Sequence, residues 1–352
     1  MIDWTKSMKQ TFEFYKVDPK TWKDAELVDT IESCTIDRDS SASTLGSTTI
    51  NTSSDMDECY IRAYLKVNQN GEEERVALGT CLVQTPSNDF DGKRLDMSID
   101  AYTPLLELKD SYPPLGYSVL KGTNIMDIAT TLCRENMQAP VVPAKSDHTL
   151  NYDFVANLDD TWLVFIADFI SNAKFTFDID PMGRILFAPK QDTASLQPVW
   201  IYDDSNCSIL YPEITNKRDL YGIPNVVEVI YSTDSGFLYS KVVNDDPNSP
   251  VSTVTRGREV MYRVSNPNFS GHPTQADIDE YARQVLRDLS SLEHTVKYKH
   301  GYCPVRVGDA VTLDIKSMGL RNIKAKVIAQ SIKCSTGCPV TETAVYTTNL
   351  WR

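Results

Sequence analysis

No run in this 352-residue chain approaches the roughly 20 apolar residues that a membrane-crossing helix requires, so helical insertion into a membrane is not expected. The opening segment carries Asp3 and Glu13 and lacks the apolar core of a secretory signal, so the chain is expected to begin in a cytoplasm. Histidine is scarce: four residues, none of them in an HExxH pattern. GxSxG, GxGxxG and phosphate-loop patterns are missing too, which removes the motif-bearing hydrolases, dinucleotide enzymes and nucleotide-binding loops from consideration. His148 follows Asp147, but neighbours on an extended chain point to opposite faces, so the two do not form an acid–base couple. Positive charge is also short. With 35 Lys and Arg against 48 Asp and Glu the net charge is −13, the wrong sign for gripping nucleic-acid phosphates.

What the chain does have is core-forming material. Apolar residues make up 41% and charged residues 24%, enough for two or three cores at this length. Eight cysteines are scattered through it and read as reduced, buried thiols. Cys334 and Cys338 form the one close pair, with Cys303 a candidate third metal ligand and His294 and His300 the available helpers. Zinc sites use two short ligand gaps and this has one, so the expectation is a hairpin turn bent at Gly337, without metal or other cofactor. The acidic runs Asp55 to Glu58, Glu72 to Glu74 and Asp245 to Asp246 suit solvated loops, or the wall of a passage that repels DNA.

Along the chain the pattern is β, then mixed, then β. Residues 1–24 carry Trp4, Phe12, Phe14, Tyr15 and Trp22, too many aromatics for a free tail, and read as an arm packed on a barrel or a neighbouring subunit. From 25 to 110 the pattern predicts five or six short strands, including 48–52, 60–67, 75–84 and 94–102, with turns at Asn70-Gly71 and Asp91-Gly92. Residues 111–192 form a mixed domain opened by Pro113 and Pro114, with a helix capped by Thr123 that presents Ile125, Met126, Ile128, Ala129 and Leu132. A second β region, 193–352, starts at Trp200, Ile201 and Tyr202. It holds a strand pair turning at Asp234-Ser235-Gly236, a loop-rich insertion over about 237–272, and a mobile tip over Asn244 to Pro250. A helix over 274–293 presents Ile278, Tyr281, Ala282, Val285, Leu286, Leu289 and Leu292, with Asp277 and Asp279 at its positive end.

The most informative stretch is Asn157 to Pro189. Asp159 and Asp160 read as caps of a helix whose Trp162, Leu163, Ile166, Phe169 and Ile170 recur every three or four residues. A hairpin follows at once: Phe175, Phe177 and Ile179, a turn with Pro181 and Gly183, then Ile185, Phe187 and Pro189. The unit buries apolar surface and offers no reactive group. Asp159 and Asp160 imitate a glycosidase carboxylate pair only superficially, being better used as caps.

This TW-led helix, strand, Gly-Arg turn and proline-ended strand resembles the hub proteins of bacteriophage tails, the family of phage late control protein D and the baseplate hub of contractile tails. The opening WTKSMKQTFEFYKVDPKTWKDAE and the segment SCTIDRDSSASTLGSTTI resemble hubs from phages of Gram-positive bacteria. Near the end, ADIDEYARQVLRDLSSLEHTVKY, CPVRVGDAVTLDI and GLRNIKAKVIAQSIKCSTGCPVTETAVY are similar to the family's closing barrel. Trp162, Phe169, Gly183, Arg184, Gly308 and Asp309 are the structural signature that carries the likeness.

The resemblance implies an α+β, mostly β fold, with two tube-like antiparallel β-barrels flanking the mixed domain. It implies a homotrimer that presents six barrels to a hexameric tail tube and joins it to a central spike or tip, with distal tail and other baseplate proteins as partners. DNA would pass through the lumen without specific binding. The implied location is the virion tail, assembled in the host bacterial cytoplasm, and the implied role is structural rather than enzymatic. The alternative is a tail-associated peptidoglycan hydrolase; the family-like text runs to Leu350 and Trp351, which leaves no lytic module expected here. No residue-level repeat links Glu26–Leu108 with Trp200–Tyr346, so the pairing of two barrels follows from the resemblance alone.

Overall fold

The computed structural model describes residues 2–90, 95–205, 208–233, 236–269 and 272–351. The expected Asp91-Gly92 turn, Cys207, and Asp234 and Ser235 of the expected turn before Gly236 lie outside the described residues. Strand accounts for 46% and helix for 14%, so the chain is mostly β. In order come β1 (Lys9–Val17), β2 (Asp24–Leu27), β3 (Ile31–Asp39), β4 (Gly46–Thr52), β5 (Tyr60–Gln69), β6 (Glu72–Phe90) and β7 (Leu95–Tyr102). The middle of the chain holds α1 (Leu106–Lys109), β8 (Ser118–Val119), α2 (Ile125–Asn136), β9 (Phe154–Val155), α3 (Trp162–Ser171), β10 (Phe175–Ile179) and β11 (Ile185–Pro189). Then follow β12 (Pro198–Asp203), β13 (Leu210–Arg218), β14 (Val226–Thr233), β15 (Gly236–Val243), α4 (Thr253–Arg256) and β16 (Met261–Ser265). Last are α5 (Gln275–Leu289), β17 (Ser291–Gly301), β18 (Ala310–Asp314), β19 (Ile323–Cys334) and β20 (Pro339–Asn349).

The chain divides into two compact units, Met1–Ile214 with Tyr298–Ala344, and Thr215–Lys297 with Val345–Arg352. The main sheet runs in the order β13-β17-β20-β19-β3-β4-β7-β6-β5-β1-β2, with β12 and β18 attached beside β19. This path is open: among the described residues its end strands β13 and β2 do not pair with each other, so no closed barrel forms. Nor is the sheet wholly antiparallel, because β12, with Trp200, Ile201 and Tyr202, runs parallel to β18. The aromatic-rich opening segment is itself a strand, β1, paired with β5 from Lys9↔Asn68 to Val17↔Tyr60.

Strand β5 shows why the first unit packs on both faces of its sheet. Ile61, Ala63, Leu65 and Val67 enter one core with Ile50, Leu78 and Ile99. The alternate residues Tyr60, Arg62 and Tyr64 are buried as well, on the opposite face. Asn70 and Gly71 have φ of 54° and 87°, the left-handed pair that a two-residue primed turn demands, as the Asn-Gly sequence predicts.

A second core holds α2, α3 and the β10–β11 hairpin. Trp162, Leu163, Phe165, Ile166, Phe169 and Ile170 are all buried in it, together with Phe177, Ile185 and Phe187. The helix ends differ from expectation. Thr161, not Asp159 or Asp160, caps α3 by accepting from the Val164 amide, while Asp160 accepts from the backbone and side chain of Asn157. Asn124 rather than Thr123 caps α2, because its side-chain Oδ1 accepts from two amides, those of Met126 and Asp127.

In the second unit β15, β14 and β16 form a three-stranded sheet covered by α5, whose Ile278, Ala282 and Leu286 pack on Val227 and Val229. Thr274 and Asp277 close a capping box at the start of α5. The helix stops at Leu289; Leu292 belongs to β17 and packs with Ile223 and Val251. The segment expected to be a mobile tip is pinned instead. Asn244 and Ser249 are buried, joined Nδ2 to Oγ at 3.0 Å, and the Asn244 amide donates to the Asn225 carbonyl at 2.8 Å. Among the described residues no helix is long and apolar enough to cross a membrane.

Trp162 is 6% exposed and makes edge contacts with Tyr117 at 5.0 Å and Phe165 at 5.9 Å. Trp162→Ala should therefore cost ~3 kcal/mol or more, from lost transfer energy plus a cavity. Denaturant unfolding checks this, and wild-type stability in the mutant would place Trp162 outside the core.

Candidate functional site

The sequence signature falls in three places, with Gly308 and Asp309 in the turn before β18. Trp162 and Phe169 lie in the core beneath the β10–β11 hairpin, whereas Gly183 and Arg184 form its turn. Asp180 organises that turn: its Oδ1 accepts from the Arg184 amide at 2.9 Å, its Oδ2 from Arg184 Nε at 2.5 Å, and its carbonyl from the Gly183 amide at 2.8 Å. Gly183 has φ 76°, and a Cβ there would sit 2.7 Å from Thr80 Cβ and 3.0 Å from Trp22, so only glycine fits.

The turn is seated on a buried cation. Arg62, 1% exposed, donates to Asp24 Oδ1 at 2.7 Å, Thr80 Oγ1 at 2.9 Å and the Met182 carbonyl at 3.0 Å, with the Trp22 carbonyl completing the set. Trp22 Nε1 donates to the same Met182 carbonyl at 2.7 Å. On the other side of the hairpin, Arg306 reaches the Ile179 carbonyl at 2.8 Å and Asp178 at 3.3 Å. Gly308, at φ 96°, and Asp309 shape the turn that presents Arg306: the Gly308 amide donates to the Val327 carbonyl, and Asp309 Oδ2 accepts from the Arg306 amide, both at 2.8 Å. The hairpin is thus held by an arginine at each side.

A second polar centre carries no sequence motif. Glu342 is wholly buried and accepts from Tyr298 at 2.8 Å, Tyr202 at 3.1 Å and Gln330 at 2.5 Å. His300, equally buried, places Nε2 3.2 Å from the Tyr202 hydroxyl and 3.5 Å from Glu342, and Nδ1 2.6 Å from the Gly301 carbonyl. A carbonyl can only accept, and the Tyr202 proton is directed at Glu342, so both ring nitrogens act as donors and His300 is an imidazolium. A signal for it was present: Glu342 occupies the buried phase of β20 with Val340 and Ala344, and His300 that of β17 with Val296 and Tyr298. Sealed from solvent, the cluster can order a core but cannot reach a substrate.

Among the described residues no three metal candidates gather, though Cys303 Sγ lies 3.9 Å from His300 Nδ1. Cys303 lies 3.2 Å from the Tyr202 hydroxyl, Cys334 stands opposite Cys34 across β19 and β3, and His294 bonds Tyr346 and Thr348 at 3.0 Å each. Gly337, at φ 83°, occupies the turn between β19 and β20. His148 Nδ1 contacts Ser146 Oγ at 2.8 Å rather than Asp147. Of the acidic runs, Asp55 to Glu58 border a cleft of about 440 Å³ with Lys16, and Glu73 pairs with Lys66 at 3.4 Å.

No family model and no curated sequence matches the chain. Solved structures do. A tail protein from Neisseria meningitidis MC58 superposes with TM-score 0.61 at 13% identity, covering 97% of this chain and 98% of its own. The 43 kDa tail protein of prophage MuSo2 from Shewanella oneidensis gives 0.64 at 10% identity, covering 96% and 98%. The chain has the fold of these tail proteins. At such identities the shared feature is the backbone scaffold, and the buried centres above show how this tail-protein fold is held in this sequence.

The His300–Glu342 pair has a pH signature. Burial opposes both charges. Contacts with Cys303 and Glu342 nevertheless push His300 up to about 10, and bonds from His300, Gln330 and Tyr298 hold Glu342 below the usual carboxylate range. The Glu342 contribution is present above pH ~4.3 and is lost as pH falls through its lowered value; the His300 contribution is complete below pH ~6.5 and is lost as pH rises toward 10. Glu342→Gln should cost ~3 kcal/mol or more near pH 6, with the gap from wild type narrowing by pH 10. Denaturant titrations of both proteins across this range test it; a gap independent of pH would mean the pair is uncharged.

Proposed function

We propose that the protein is a structural component of a phage tail or baseplate, acting as the hub. The observation that carries this is the similarity of fold over nearly the whole chain to two tail proteins, each covered to 98% of its own length. The buried charge clusters favour a scaffold over an enzyme, since the one His–Glu pair described is sealed. On this reading 25–110 and 193–352 are two tube-like β domains, 111–192 is the mixed domain between them, and residues 1–24, rather than a separate arm, give β1 to the first by pairing with β5. The pairing of β3 with β19, from Cys34↔Cys334 to Asp39↔Ala329, places strands of both β regions in one sheet.

Two tube-like domains per chain match a six-fold tube only as a homotrimer, and head-to-tail contacts close such copies into a ring. The ring binds the tail tube or distal tail protein on one side and the spike or tip on the other, within the virion. It carries three times −13, or −39, around its opening, which lets DNA slide without being gripped. Assembly should strengthen as the screening length falls from ~30 Å at 0.01 M salt to ~8 Å at physiological salt. Sedimentation and particle imaging across that range should show a closed trimer in the presence of tube and spike partners; a dimer, tetramer or persistent monomer would refute the hub. A zymogram on peptidoglycan should stay dark, and clear lysis would favour the tail-associated hydrolase.

A further inference from the structure

Within the first unit, β3, β19, the β10–β11 hairpin and the turn at Arg306 to Asp309 line a cleft of about 490 Å³. That volume falls in the range of real ligand sites. In β3 and β19 the register sets Arg38 opposite Gln330, and alternation puts Ile36, Ile328 and Lys326 on the same face as these two. The acids around the cleft are already engaged. Asp178 pairs with Arg306, Asp180 with Arg184, Asp309 receives the Arg306 amide, and Asp37 and Asp39 alternate to the opposite face of β3.

The cations are not matched in the same way. Arg38 spends two donors, on Gln330 Oε1 at 3.1 Å and on the Leu78 carbonyl, out of the five a guanidinium carries. Among the described residues no carboxylate lies within ion-pair distance of it, and Lys326 Nζ has no hydrogen-bond or ion-pair partner. A protein of net charge −13 thus lines a partly apolar cleft with cations, Arg38, Lys326 and the rim residue Lys190, that no carboxylate among the described residues pairs.

We propose that this cleft binds an acidic peptide segment, with a carboxylate bridging Arg38 and Lys326 and apolar side chains on Leu45 and Ile328. A guanidinium with free donors matches a carboxylate in shape as well as charge. A lone phosphate would leave the apolar wall wet, and a nucleic-acid strand needs cations in series, which an acidic surface does not offer. That the segment belongs to a neighbouring tail component rests on the hub reading; the binding itself does not.

The test uses the isolated full chain and a positional-scanning library of acetylated, amidated hexapeptides, read by fluorescence anisotropy. Asp and Glu should be favoured about tenfold over Asn and Gln in at least one position. Lys326→Met, which removes no hydrogen bond or ion pair among the described residues, should weaken the best acidic peptide about fivefold or more while the melting temperature stays unchanged. Arg38→Met should weaken it further. No acidic preference, or full affinity in Lys326→Met, overturns the proposal. Displacement by millimolar inorganic phosphate as effective as by unlabelled peptide also overturns it, in favour of a free-anion site. Because no assembly is needed, failure here is distinguishable from failure of the trimer.

Discussion

Arg62 is the constraint on which the first unit depends. A buried guanidinium is costly unless every donor finds an acceptor, and here Asp24, Thr80, Trp22 and Met182 supply them. Those acceptors come from the β1–β2 connection with the first residue of β2, from β6 and from the hairpin turn, so satisfying one charge fixes three separate pieces of chain. The requirement then propagates. Met182 can meet Arg62 only if the turn lies flat on Thr80 and Trp22, which is why position 183 must be glycine.

The same logic recurs at a second place in the unit. Glu342 and His300 sit in the buried phase of their strands, where an apolar residue would give comparable stability without directionality. Their bonds to Tyr202, Tyr298 and Gln330 tie β12, β17, β19 and β20 to one arrangement. Gln330 also accepts from Arg38, so this sealed cluster positions the cation that faces the cleft.

Part of this was readable directly. The α3 face, the hairpin parity from Phe175 to Pro189 and the Asn70-Gly71 turn follow from spacing within a few residues, because burial of a face and the sign of φ are local properties. The capping residues were misplaced by one or two positions, since Asp159, Asp160, Thr161, Thr123 and Asn124 all have side chains able to cap, and only the backbone path chooses among them.

The sequence by itself determined the mostly β character and the buried faces of α3 and of the β10–β11 hairpin, since alternation and helical spacing encode burial residue by residue. The tertiary structure alone decided what those residues meet. Arg62 and the Met182 carbonyl are 120 positions apart, Tyr202 and Glu342 are 140 apart, and no local pattern specifies either encounter. The open sheet path, the parallel pairing of β12 with β18 and the junction of β3 with β19 belong to the same class. Strand alternation states that a face is covered; which strand covers or borders it is settled by the long-range competition among all of them.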